Sequence, residues 1–196
     1  MNTVISMYIS LMPVIFAGSL NMAFVKTKIW NRLYIPIDKG LCLNDSKRLF
    51  GDNKTWKGFI GMIVCSIFTT ILWGFLCHAV PYLENHNFLY MSHENQIAFN
   101  IWLGALFGLA YVICELPNSF LKRRFDIVPG KTGRGLIGKF FIVLDQIDSL
   151  IGCVFVVSLF YHMNFVFFIF YVILGGVTHY FINILLYKMG LRKNRN

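Results

Sequence analysis

The sequence predicts an all-α integral membrane protein with five transmembrane helices, its amino terminus outside and its carboxyl terminus in the cytoplasm. Three observations predict it. Of 196 residues, 57% are hydrophobic and 14% charged, where soluble domains carry about 45–50% and about 25%. Five charge-poor segments each reach the roughly 20 residues that a helix needs to cross the hydrocarbon core. All 18 Lys and Arg residues fall on one side of the segments so threaded. A soluble globule of this size could not bury such apolar surface, which includes 20 Phe, 9 Tyr and 4 Trp. Disorder, a disulfide scaffold and a secreted soluble enzyme are therefore excluded. Spanning segments must be helical, because isolated strands leave backbone groups unsatisfied in lipid.

The spans follow in order. Thr3–Val25 and Gly58–Leu83 carry no charged residue, and neither does Asn95–Cys114. The 39 residues from Ser149 to Tyr187 are also uncharged, too many for one crossing, and Tyr161-His162-Met163-Asn164 divides them. The predicted spans are 3–25, 58–80, 97–117, 140–161 and 164–187. The first is not read as a secretory signal, because no basic residue precedes it and the first Lys is Lys26. Loop 26–57 holds eight Lys and Arg, loop 118–139 six and the tail from Lys188 four, while loops 81–96 and 162–163 hold none. The positive-inside rule then puts both polar loops and the tail in the cytoplasm. The expected location is the cell membrane, multi-pass, with any site formed by these loops facing the cytoplasm. No internal repeat or second domain interrupts residues 1–196, which read as a single membrane-embedded domain.

Net charge +9 does not imply nucleic acid here, because the basic residues are juxtamembrane. Anionic headgroups or a soluble anion such as a nucleotide are the expected partners. Cys42, Cys65, Cys77, Cys114 and Cys153 show no metal-ligand spacing. His78, His86, His93 and His162 sit near the outer side without carboxylate partners at ligand spacing, and His179 reads as a packing residue inside the last span.

Three acids lie where lipid should forbid them: Glu115, Asp145 and Asp148. A carboxylate at a helix centre costs about 2.5–3.5 kcal/mol on insertion scales, so such residues face protein, cations or water. Asp145 and Asp148 are i, i+3 and share one helix face, with Glu115 at the cytoplasmic end of the third span. Two carboxylates on one face with a third nearby suit a hard cation such as Mg²⁺; the bland alternative is that they neutralise bundle cations. Glu115, Ser119 and Lys122 or Arg123 form a further stripe, which offers an acid for a metal and bases for phosphate oxygens. Gly130-Lys131-Thr132 is not a P-loop, since Phe125 stands where its first Gly belongs. The run Pro129–Gly135 is still a basic, Gly-rich loop able to present backbone N–H groups to anions. The first loop carries Asp38-Lys39-Gly40, then Gly51-Asp52-Asn53-Lys54-Thr55-Trp56-Lys57-Gly58. There Gly51 permits a turn, and Asp52, Asn53 or Thr55 can cap the next helix. Lys54 and Lys57 beside that helix start make an anion site.

Gly51–Gly58, Glu115-x3-Ser119-Phe-x-Lys122-Arg123 and Asp145-Gln-x-Asp148-Ser together resemble the motifs of the CTP-dependent lipid-phosphate cytidylyltransferases, and most closely their CDP-archaeol synthase branch, related to the CDP-diacylglycerol synthases. The motifs span about residues 36–155, and the five-span layout matches the branch over the whole chain. The resemblance implies a single catalytic domain that joins CTP to a membrane lipid phosphate. That acceptor is phosphatidic acid or an archaeal ether-lipid phosphate, and the products are a CDP-lipid and pyrophosphate, with Mg²⁺ as cofactor. It implies that Asp145 and Asp148 bind the metal, with Glu115 as a third ligand. Lys54 and Lys122 then act with the aspartates in catalysis. Asp52, Asn53, Thr55, Ser119, Arg123 and Lys131 contact the nucleotide or the phosphate. No protein nucleophile is needed, so positioning and charge neutralisation carry the reaction. The rival reading is a small transporter of anions or metal ions, which requires discontinuous helices and charges at mid-membrane. A CDP-alcohol phosphotransferase is a further rival, but its Asp-Gly-x2-Ala-Arg pattern is absent.

Overall fold

The computed structural model describes residues 3–191. Five helices in it are long and apolar enough to cross a membrane: α1 (Thr3–Lys26), α2 (Trp56–Ala79), α4 (Ile97–Arg124), α5 (Gly135–Phe160) and α6 (Phe165–Lys188), with a short α3 (Pro81–Asn85) between α2 and α4. α4 is the central element, packed on both α2 and α5, while α1 lies on α2 and α6 on α5. Its backbone approaches α2 closely at Gly104 and Gly108, where a Cβ would stand 2.5 Å from the Cα atoms of Ile67 and Ile63. Small residues four apart allow this approach, and in lipid such packing is the main force between helices.

Two span boundaries differ from the sequence expectation. The third span does not stop at residue 117 but continues as α4 through Pro117 to Arg124, and the fourth begins at Gly135 instead of residue 140. Hydropathy marks where lipid ends, whereas a helix continues as long as its backbone is satisfied. Lys122, Arg123 and Arg124 in the last turn of α4 complement the negative end of the helix dipole. The consequence is functional: Ser119, Lys122 and Arg123 sit on a rigid helix, not in a loop.

The loops are ordered around the helix ends. At the basic end, Asp38 is 3% exposed and accepts from Arg48 Nη2 at 2.6 Å and from the N–H groups of Phe50 and Gly51 at 3.0 Å each. Burial alone would raise the Asp38 carboxyl pKa, but Arg48 and the N–H groups of Gly51, Phe50 and Gly40 overcome it and hold it well below the usual carboxylate range. Gly51 has φ +105°, and a Cβ there would stand 2.6 Å from Pro129 Cγ, so it suits both the turn and the seam between the two basic loops. Arg124 pairs with Asp45 at 2.6 Å and Lys47 with Asp126 at 2.8 Å, pinning the first loop to the end of α4. At the opposite end, the connection from α2 to α4 folds into the bundle. There Phe88 is fully buried, stacks on Tyr161 at 4.1 Å and donates its N–H to Ser10 Oγ at 2.9 Å.

Lys57 does not belong to an anion site. It is fully buried, and its Nζ donates to the carbonyls of Val25 at 3.0 Å and Thr27 at 2.6 Å. It therefore satisfies the end of α1, where a cation also suits the dipole. Lys57→Met should lower stability by about 1.5–3 kcal/mol for each charge-assisted bond lost, read as a fall in melting temperature in detergent. Turnover per folded molecule should be unchanged; a stable variant with impaired turnover would return Lys57 to the anion site.

Candidate functional site

A polar cavity of about 310 Å³ opens between the basic ends of α4, α5 and α6 and the two basic loops. α4 contributes Glu115, Asn118, Ser119, Lys122 and Arg123, one stripe at helical spacing. α5 contributes Asp145 and Asp148 from the facing side, and α6 contributes His179 and Asn183. The first loop places Asn53 and Lys54 at the rim, and the Gly-rich loop places Lys131 there. Lys54 is held in register by two backbone bonds across its segment, Ile37 N to Lys54 O at 2.8 Å and Trp56 N to Ile35 O at 3.0 Å.

Inside the cavity, acids and bases are paired. Asn118 Nδ2 donates to Asp145 Oδ1 at 2.7 Å and to Asp148 Oδ2 at 2.6 Å. Lys122 Nζ bonds both oxygens of Asp145 at 2.5 Å, and Lys54 pairs with Glu115 at 2.8 Å. Asp148 is 4% exposed and also accepts the Ser149 N–H at 2.6 Å. Arg123 is 7% exposed; its Nε reaches the Ser119 carbonyl only at 3.5 Å, and its Nη1 meets no partner among the described residues. A buried guanidinium without a counter-ion is costly, and an incoming anion removes the cost. Four cations (Lys54, Lys122, Arg123, Lys131) face three acids, a set suited to a metal-bound polyphosphate.

The structure thus brings Asn53, Lys54, Glu115, Ser119, Lys122, Arg123, Lys131, Asp145 and Asp148 to one cavity. It leaves two expected contacts elsewhere. Asp52 points outward to Arg48 at 2.9 Å, because Gly51 turns the chain between them. Thr55 is the N-cap of α2, its Oγ1 accepting the Gly58 N–H at 3.1 Å. Glu115, expected as a third metal ligand, is ion-paired with Lys54, and among the described residues no three His, Cys, Asp or Glu side chains form a ready ion site. The two aspartates offer Mg²⁺ oxygens beside the buried Asn118 Oδ1, which meets no partner among the described residues. Sequence reasoning missed Asn118, although its spacing from Glu115 and Lys122 was visible, and Asn183, which donates to Gln146 Oε1 at 2.8 Å. It read His179 as packing; that ring is bonded to the Gln146 carbonyl at 3.2 Å and also lines the cavity.

A family model described as CarS-like, CDP-archaeol synthase, matches residues 7–195. The CDP-archaeol synthase of Archaeoglobus fulgidus is 30% identical over 125 residues, 64% of this chain and 62% of that protein. That of Pyrococcus furiosus is 34% identical over 101 residues, 52% of each. That of Thermococcus onnurineus is 31% identical over 156 residues, 79% of each. The chain therefore spans between half and two thirds of the first two relatives' length. A solved structure, described as an intramembrane enzyme for archaeal membrane lipids biosynthesis, superposes with TM-score 0.59 over 90% of this chain and 92% of that one. At 22% identity, it shares the fold.

Proposed function

The chain belongs to the CDP-archaeol synthase family, and from that premise we propose that it transfers a cytidylyl group from CTP to a membrane lipid phosphate, giving a CDP-activated lipid and pyrophosphate for phospholipid biosynthesis. One observation carries the reading beyond the family. Tyr111, His179 and Asn183 line both the polar cavity and an apolar groove between α1, α5 and α6 that includes Leu11, Leu150 and Leu174. A water-soluble triphosphate and a phosphate on a hydrocarbon tail can meet only where two such spaces join.

The reaction needs little from the protein beyond placement. An oxygen of the lipid phosphate attacks the α-phosphorus of CTP, and pyrophosphate leaves. Lys54 and Lys122 exchange their carboxylates for phosphate oxygens, and Arg123 offers its bare Nη1. Ser119 and Asn53 donate hydrogen bonds to the nucleotide, and Lys131 approaches from the Gly-rich loop. Asp145 and Asp148 would hold Mg²⁺, which when bound would neutralise charge developing on the leaving phosphates. Asp52 and Thr55 act on the loop and helix that carry Lys54. The relatives are named for CDP-archaeol, so the acceptor to test first is an ether-linked isoprenoid glycerol phosphate, against its acyl equivalent. Each long helix runs unbroken and the acids cluster at one end, which speaks against a transporter's mid-membrane site.

Lys54→Ala and Lys122→Ala should each weaken transfer by about 1.5–3 kcal/mol, the worth of a hydrogen bond to a charged group. The test is CDP-lipid formation by purified variants of normal melting behaviour. Full activity in both would reduce these lysines to topology signals.

The site faces the cytoplasm of the cell membrane and the amino terminus lies outside, a reading supported by the one-sided distribution of Lys and Arg. Cys42 is exposed in the first basic loop. It should react with an impermeant thiol reagent only from the cytoplasmic side, and His86→Cys only from outside. Labelling of both from one side would overturn the orientation.

A further inference from the structure

The amide of Asn118 is built into the acid pair more deeply than a stripe residue needs to be. Its side chain is 5% exposed. Nδ2 bridges one oxygen of Asp145 and one of Asp148, yet Oδ1 is buried with no partner among the described residues. A buried acceptor left bare is costly; turning the amide passes that cost to Nδ2, so a bond from Oδ1 to a cation must drive the turn. The two ends of an amide have nearly the same shape and opposite roles, so a half-turn of the group exchanges donor for acceptor. That turn sets Oδ1 where Nδ2 stands, 2.7 Å from Asp145 Oδ1 and 2.6 Å from Asp148 Oδ2. Neighbouring oxygens around octahedral Mg²⁺, with bonds of about 2.0–2.1 Å, lie about 2.9 Å apart. The turned Oδ1 thus stands near that spacing from an oxygen of each carboxylate.

We propose that Asn118 is the third oxygen ligand of the cation held by Asp145 and Asp148, its amide reversing between a cation-free clamp and a cation-bound ligand. Without a cation, two carboxylates this close need a shared donor, and Nδ2 supplies it. With a cation, the same position needs an acceptor, and Oδ1 supplies it without backbone movement. Asn118 reaches both aspartates directly, whereas Glu115, the other candidate on α4, is turned to Lys54. The inference rests on the proposed metal-dependent transfer, so its test must fail separately from that reading.

The test is Mn²⁺ binding to the purified full-length protein in detergent without CTP. Mn²⁺ prefers the same oxygen ligands as Mg²⁺, and the paramagnetic resonance signal of the free ion reports it. Asn118→Leu should weaken binding about tenfold or more, while Asn118→Asp, which keeps an oxygen and cannot clamp, should bind at least as tightly as wild type. If Asn118 only clamps, Asn118→Leu leaves the carboxylates repelling one another and binds Mn²⁺ as tightly as wild type or more so. That result overturns the ligand role and leaves the metal reading standing. Equal losses in both variants also overturn it, and absence of binding by wild type overturns both readings. Should Asn118→Leu fail to fold, Asn118→Asp decides alone, and weakened binding there contradicts the proposal.

Discussion

Asp148→Asn should fold normally and lose cytidylyl transfer by about 10²–10³-fold or more, the scale on which removal of one preorganised charge-stabilising group acts. The fold should survive because Asn keeps the shape and an oxygen for the Ser149 N–H, while Asn118 Nδ2 keeps its bond to Asp145. Relief from burying a carboxylate that is 4% exposed should keep the melting temperature near or above that of wild type. Asp145→Asn should lose activity likewise and also weaken the hold on Lys122. If the acids served only to neutralise bundle cations, the variants would instead lose stability while surviving protein kept its turnover. Melting temperature and CDP-lipid formation on the same preparations separate the two, and a stable Asp148→Asn protein with near-normal activity would refute the metal role.

Asp38→Ala should release the first basic loop. It leaves Arg48 with only the exposed Asp52, and it strips acceptors from the N–H groups of Gly40, Phe50 and Gly51. Removing one partner of a buried ion pair costs about 3–5 kcal/mol, concentrated here in the loop that carries Lys54. Hydrogen exchange at Phe50 and Gly51 should accelerate strongly while exchange in the helices stays slow, and transfer should fall with the displacement of Lys54. Unchanged exchange would show that the loop is held by its other contacts. The same carboxylate sets a pH dependence. Its native pKa lies below the unfolded value, so its stabilisation is complete above about pH 3.9 and is lost as pH falls through the depressed native range. Loop protection should therefore persist to about pH 4 and fade below it.

What the sequence revealed divides by the kind of physics involved. Five spans and a one-sided charge distribution follow from the cost of charge in lipid, a property each residue carries alone. The stripe Glu115, Ser119, Lys122 and Arg123 and the pair Asp145 and Asp148 follow from helical period, and all six line one cavity. At the start of α2 the cap was legible, since Thr55 was among its candidates and fills it. The directions of Asp52 and Lys57 were not: they turn to Arg48 and the end of α1, because Gly51 and the α1–α2 packing aim them. Neutral or familiar residues hid best. Nothing local marks Asn118 as the bridge between two acids 27 and 30 residues away, and Asp38 looks like any loop acid until the chain closes around it.

Cytidylyl transfer is tested most directly with purified protein in detergent, CTP labelled at the α-phosphate, Mg²⁺ and a lipid phosphate. Label should appear in the organic phase as CDP-lipid, with one pyrophosphate released for each lipid labelled, and neither product without the lipid phosphate. Retention of all label in the aqueous phase, by folded protein offered both ether and acyl acceptors, would contradict it.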